Sequence, residues 1–196
     1  MPTALVWFRH DLRLADNPAL AATVEAGRPV VPVFILDEQT DGLRRLGGAS
    51  RWWLHHSLQS LDASLRSIGP RAPQSRRAPA RATRPRHPGA WPTSDTLADW
   101  KNLLPTRPDW AGGLRDRWMP GEAAAIARLG DFINEDLADY ARARDIPARP
   151  GTSRLSPHLA FGEIGPRQIW RAVTTSGPAS AGSGTPWSTP PRPTTR

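Results

Sequence analysis

Ala4–Phe8 (ALVWF) is an unbroken apolar run, and Val30–Leu36 (VVPVFIL) is a second one rich in β-branched side chains. Short apolar runs bounded by charged and turn residues predict buried strands. Between them, Asp16, Asn17 and Pro18 predict a cap and a first-turn proline for a helix over Ala19–Glu25, which Gly27 closes. Strand, helix and strand joined by short links predict a βαβ unit with parallel strands. Pro32 speaks against a central place for the second strand, because proline lacks the N–H that a ladder needs. A longer amphipathic helix is predicted from about Ala49 to Ser67. Trp52, Leu54, Leu58, Leu61 and Leu65 lie on or near one face, and Gly69-Pro70 ends it.

The pattern then fails. Arg71–Pro92 and Thr174–Arg196 contain no Val, Ile, Leu, Met or Phe and are rich in proline and small polar residues. Such segments bury too little apolar surface to offset the entropy of ordering, so disorder is expected. They read as a linker and a tail, as a basic arm, or as out-of-frame translation of a GC-rich gene. The third reading is prompted by 25 arginines against a single lysine. Periodicity returns near Leu97 in a connector with turns at Pro105, Pro108 and Gly112-Gly113. A helix is predicted from Glu122 to about Ala143, with Leu129, Phe132, Ile133, Leu137 and Tyr140 at helical spacing. Residues 144–152 read as a loop, and Gly165-Pro166 opens a last helix whose pattern dissolves after Val173.

Charge changes this picture little. The net +8 resides in six arginines of Arg71–Pro92 and in Arg192 and Arg196, so the patterned parts are balanced and present no general basic surface. The absence of cysteine excludes disulfides and thiolate metal sites. His55-His56 has no acidic or cysteine partner at ligand spacing and reads as helix surface, so no metal is expected. Trp52-Trp53 reads as one core and one surface residue. No apolar run approaches the ~20 residues of a membrane span. The N-terminus lacks the layout of a signal peptide, so a cytoplasmic protein with no membrane association is expected.

The candidate chemistry lies in Gly151–Ile164 (GTSRLSPHLAFGEI). Thr152, Ser153 and Ser156 offer hydroxyls and Arg154 a forked cation, a donor set suited to a diphosphate. The plain alternative is a Ser/Thr turn capping a helix, with Tyr140 as core. Arg9, Asp11 and Arg13 follow the first strand, at the carboxyl edge where open α/β sheets bind ligands. The alternative there is a solvated loop with an internal Arg–Asp pair.

LVWFRHDLRLADNPAL, VVPVFILD, GGASRWWLHHSLQSLDASL and, most closely, YARARDIPARPGTSRLSPHLAFGEIGPRQIW resemble the DNA photolyase and cryptochrome family over residues 3–70 and 95–172. The resemblance implies an α/β fold. Residues 1–70 would be part of a doubly wound parallel sheet, the family's antenna-binding domain. Residues 71–117 would be the Arg/Pro segment and connector, and 118–173 the first helices of an all-α FAD-binding domain. Residues 174–196 would be a disordered tail. The later strands would be missing between Gly69 and about Asp95.

The resemblance makes Tyr140, Thr152, Ser153, Arg154, Leu155 and Ser156 contacts of FAD, and Arg144 a DNA contact. It places Arg9, Asp37 and Arg51 in the wall of a pocket for a folate or deazaflavin antenna. Catalytic residues are expected only beyond Val173. The implied function is light-dependent repair of cyclobutane pyrimidine dimers in damaged DNA by a monomer, with this chain an inactive fragment if its pocket is incomplete. A blue-light cryptochrome without repair activity is one alternative, and a small βαβ nucleotide-binding module is another.

Overall fold

The computed structural model describes residues 2–38, 40–68, 94–100, 103–104 and 108–176. Arg71–Pro92 and most of the tail therefore lie outside the described residues, as do Pro105, Gly69-Pro70 and the out-of-frame reading that rests on those segments.

Strand β1 (Ala4–Phe8) pairs in parallel with β2 (Val30–Phe34), Ala4 facing Val30 and Phe8 facing Phe34. Helix α1 (Pro18–Glu25) makes the crossover. Asn17 caps it: the side-chain Oδ1 accepts from the amides of Ala19 and Leu20, each at 3.1 Å, and Nδ2 donates to the carbonyls of Asp11 and Arg13. This fully buried asparagine thus closes the helix and the β1–α1 loop together. The second strand ends two residues before the apolar run does, and Pro32 is accommodated because β2 has only one neighbour among the described residues.

Helix α2 (Gly48–Ser67) lays Leu54, Leu58 and Leu61 over Val6, Phe8, Leu12, Leu20 and Val30. Both helices of this unit contribute to the same core. The opposite strand positions Leu5 and Trp7 are 71% and 53% exposed.

The connector forms a short helix, α3 (Gly112–Arg117), where turns were expected at Gly112-Gly113. Its Leu114 and the flanking Ala111 and Trp118 pack against α2, so Trp52 and Trp53 are both buried instead of sharing core and surface. The single helix expected over 122–143 is interrupted. Helix α4 (Glu122–Asp131) passes into a π turn (Phe132–Asp136), a 3-10 turn (Leu137–Asp139) and then α5 (Tyr140–Ala143). The π turn takes an extra residue per turn, and across it the rings of Phe132 and Tyr140 meet edge to face at 5.4 Å. Helices α6 (Ser156–Phe161) and α7 (Pro166–Ser176) follow. α7 continues three residues past Val173, into the start of the expected tail, with the hydroxyls of Thr174 and Thr175 bonded back to carbonyls of the preceding turn. None of the described helices is long and apolar enough to cross a membrane.

Two parts of the chain, about a hundred residues apart, are joined at one seam. The β1–α1 loop meets the helical part directly: the amides of Leu14 and Ala15 donate to the two oxygens of Glu122, both at 2.8 Å, and Arg13 Nη1 donates to the Gly162 carbonyl at 3.2 Å. Gly162 is left-handed (φ 69°), and a Cβ there would collide with the His10 backbone, so only glycine fits this approach. Behind the loop lies Glu163, with no exposed surface. Its Oε1 accepts from Trp53 Nε1 (3.1 Å), Gly121 N (2.7 Å) and Ser57 Oγ, and its Oε2 meets His158 Nδ1 at 2.5 Å. One carboxylate therefore ties α2, the start of α4 and α6 together.

Truncating such a residue leaves several buried donors unpaired. Glu163→Ala is expected to cost about 3–5 kcal/mol of unfolding free energy. Ser57→Ala, which removes one donor, should cost about 1 kcal/mol. Urea unfolding followed by tryptophan fluorescence measures both.

Candidate functional site

Gly151–Ser156 links α5 to α6 and is held from beneath. A Cβ on Gly151 would collide with Ala143, so the loop starts in direct contact with α5. Tyr140 and Ala143 are three residues apart and share a helix face. From α4, Arg128 Nε donates to the Ser153 carbonyl at 2.9 Å, and its Nη2 reaches the Thr152 carbonyl and Asp136, each at 3.4 Å. Leu155, 2% exposed, anchors the loop in the cluster of Ala125, Leu129 and Ile164.

With carbonyls and leucine turned inward, the donors are turned out. Thr152, Arg154 and Ser156 are exposed, and their side chains make no hydrogen bond among the described residues. Arg154 is left-handed (φ 53°) and Leu155 right-handed (φ −88°, ψ −4°). Alternation of that kind turns successive backbone N–H groups toward one point and favours an anion. Ser153 Oγ accepts from the Leu155 amide at 3.4 Å and stiffens the same turn. The donor set fits a diphosphate: three unpartnered side-chain donors, one of them a guanidinium.

Tyr140 is half-buried, and the Arg144 guanidinium lies 5.8 Å from its ring centre. Arg144 is exposed and its Nε is 3.5 Å from Asp145 Oδ1, a contact of small energy in water. Leu155 differs from its neighbours in the loop: its side chain is core, so any ligand would meet only its backbone.

The three candidate antenna residues occupy the carboxyl edge of the sheet and the start of α2 but are engaged separately. Arg9 is exposed, 5.0 Å over the Trp7 ring, with its amide bonded to Asp11. Asp37 accepts from the amide (3.0 Å) and hydroxyl (2.6 Å) of Thr40. Arg51 Nη2 is 2.8 Å from Glu38 Oε1. That ion pair is misaligned as a hydrogen bond, so Glu38 Oε1 remains a buried atom without a donor, as do Arg51 Nε and His55 Nδ1 without acceptors. Glu38 was not singled out from sequence, and His55, expected on the helix surface, is half-buried with its Nδ1 covered. The available signal was spacing: Glu38 follows Asp37 at the strand end, and His55 lies one turn after Arg51 on α2. Arg128 was missed too, since an arginine on an amphipathic helix carries no mark of the loop it will brace. A groove of about 430 Å³ runs along α2 and α3 past Trp52, His56, Arg115, Trp118 and Met119, and no loop residue from 151–156 lines it.

Burial, then the neighbouring His56, lowers the proton affinity of His55 in the folded chain. The unfolded chain takes up that proton first, so stability is full above the ordinary value of 6.5 and falls as pH drops below it. Replacing His55 with Phe should flatten this acid-side decline, read from urea midpoints between about pH 5 and pH 7.5. Arg128→Met should raise hydrogen exchange of the 152–156 amides by about 1–3 kcal/mol in local opening energy, with little change in the amides of β1.

Residues 4–79 match the DNA photolyase family model. The deoxyribodipyrimidine photo-lyase of Agrobacterium fabrum is 35% identical over 255 residues, covering 86% of this chain and 52% of that protein. Cryptochrome-1 of Arabidopsis thaliana is 28% identical over 267 residues, covering 92% of this chain and 39% of the relative. A bacterial class III photolyase from Agrobacterium tumefaciens superposes with a TM-score of 0.73 at 33% identity, over 88% of this chain and 53% of that one. The chain thus spans about half the length of the curated relatives it matches. The first alignment uses about 169 of the 196 residues across 255 positions, which leaves about 86 positions of the relative facing none here. The second leaves about 87, so both relatives carry internal positions without counterpart in this chain. On the shared sequence, the βαβ opening and the superposable fold, the chain resembles the DNA photolyases and cryptochromes.

Proposed function

We propose that this chain holds flavin adenine dinucleotide by its diphosphate in the loop Gly151–Ser156. The observation that carries this reading is the brace from Arg128, which turns the loop's carbonyls inward and leaves Thr152, Arg154 and Ser156 free as donors. Arg154 would form the charge-assisted fork to the phosphates, the two hydroxyls would complete it, and Tyr140 would flank the cofactor from α5. Reduced flavin, when bound, supplies the light-driven electron that opens the cyclobutane ring of a pyrimidine dimer in DNA. The protein's part is to bind and orient. Arg144, exposed beside Tyr140, would meet the DNA backbone.

The ion pair of Arg51 with Glu38, and the buried Arg51 Nε and His55 Nδ1 that have no hydrogen-bond partner, support a second polar ligand at the sheet edge, for which a folate or deazaflavin antenna is the family's choice. A cryptochrome-like blue-light protein would use the same flavin loop, a reading supported by the similarity to Cryptochrome-1 over 92% of this chain. Repair of an irradiated oligothymidylate under blue light separates the two.

The full chain titrated with FAD should quench flavin fluorescence and retain a yellow, structured absorbance after desalting. Arg154→Ala should weaken binding by about 10- to 100-fold, the loss of charge-assisted hydrogen bonds. FMN, which has one phosphate, should bind less tightly than FAD. A chain that stays colourless after refolding with FAD overturns the proposal.

A further inference from the structure

Asp136 stands eight residues after Arg128, yet the two side chains meet: Arg128 Nη2 lies 3.4 Å from Asp136 Oδ2. In a regular α-helix a residue eight positions on is turned away by roughly 80°, and the seventh shares the face. The π turn over Phe132–Asp136 takes one residue more. Asp136 therefore falls about where the seventh residue of a regular helix would, in line with Arg128. Both side chains are largely shielded, Asp136 at 21% exposure and Arg128 at 26%, so their attraction is screened less than that of a surface pair. Asp131 is nearer in sequence, but it lies 3.9 Å from Nη1 and is 59% exposed.

The same guanidinium braces the loop. Its Nε donates to the Ser153 carbonyl at 2.9 Å, and Nη2, the nitrogen that Asp136 meets, is 3.4 Å from the Thr152 carbonyl. Arginine has a long, flexible stem, and an anion bound by the loop would draw the guanidinium toward itself. Turned that way, it would release both carbonyls. A carboxylate on the helix that carries Arg128 opposes this and holds the positive charge at the carbonyls. It also acts in the other direction, because a negative charge near the loop repels a diphosphate.

We propose that Asp136 is a positioning residue for the diphosphate loop. It keeps Arg128 on the carbonyls of Thr152 and Ser153, and the loop backbone thereby keeps the form that turns Thr152, Arg154 and Ser156 outward. The π turn is the backbone feature that makes this contact. What the loop holds rests on the flavin reading above; that Asp136 holds the loop does not.

Asp136→Asn keeps the shape of the side chain and removes its charge. In the ligand-free full chain, hydrogen exchange at the Leu155 amide, which donates to Ser153 Oγ, should quicken by about 3- to 10-fold. FAD should bind about 3- to 10-fold more weakly than to the parent, with the urea midpoint of unfolding little changed. Asp131→Asn removes the same charge from the longer distance and should leave exchange and FAD binding within about twofold of the parent. In an Arg128→Met background, Asp136→Asn should alter neither readout, because its effect passes through that guanidinium. Tighter FAD binding by Asp136→Asn overturns the proposal, since the carboxylate would then act only as a nearby negative charge. So does an unchanged Leu155 amide, an equal effect of Asp131→Asn, or an undiminished effect of Asp136→Asn in the Arg128→Met background. A parent chain that takes up no FAD overturns the flavin reading alone, and exchange at Leu155 then decides the role of Asp136. Should Asp136→Asn fail to fold, Asp136→Ser replaces it, with the same outcomes supporting or overturning the proposal.

Discussion

Glu163 is a charge-bearing side chain with no exposure, and the arrangement of this protein depends on how its two oxygens are satisfied. Burying a carboxylate is costly unless donors replace its water. Here the donors come from three places: Trp53 and Ser57 on α2, the amide of Gly121 before α4, and His158 on α6. None of these segments can move away without stripping the carboxylate. Around it, Trp53 packs edge to face on Trp118 and His158 and stacks on Phe161, so the polar centre has an aromatic wall. Hydrogen bonds give the seam its geometry, and the indoles of Trp52 and Trp53 add buried apolar surface.

The candidate flavin loop inherits its shape from that seam at one remove. Glu163 and Gly162 fix the end of α6, and α6 begins at Ser156, the last residue of the loop. At the other side Arg128 holds the carbonyls of Thr152 and Ser153, while Gly151 rests on α5. A short loop pinned at both ends and along its middle keeps its backbone in place, which would lower the ordering cost of binding a ligand. The motif FRHDLR divides between two tasks. Arg9 stays near the sheet edge and Trp7, whereas Arg13 reaches the Gly162 carbonyl and serves the seam.

Much of this was legible along the chain. The two apolar runs, the Asn17-Pro18 start and the amphipathic α2 appear where local pattern put them, because strand burial, capping and helix periodicity are short-range properties. The type of chemistry in 151–156 was legible for the same reason, since hydroxyls and an arginine declare their donors. The long helix was not: its apolar spacing is continuous through Phe132, Ile133, Leu137 and Tyr140, yet the backbone passes through a π turn and a 3-10 turn. Nor was the burial of both Trp52 and Trp53, which follows from a connector arriving from about sixty residues further on.

By itself the sequence determined the βαβ opening, the helix boundaries near glycine and proline, and the donor set of the loop, all consequences of contacts between residues close in the chain. The tertiary structure decided which of those residues meet. It placed Glu122 under the amides of Leu14 and Ala15, Arg128 under the loop, and a buried carboxylate between α2 and α6. It also left Leu5 and Trp7 bare. Such outcomes depend on the desolvation of groups about a hundred residues apart, and no local pattern of apolar and polar positions encodes that.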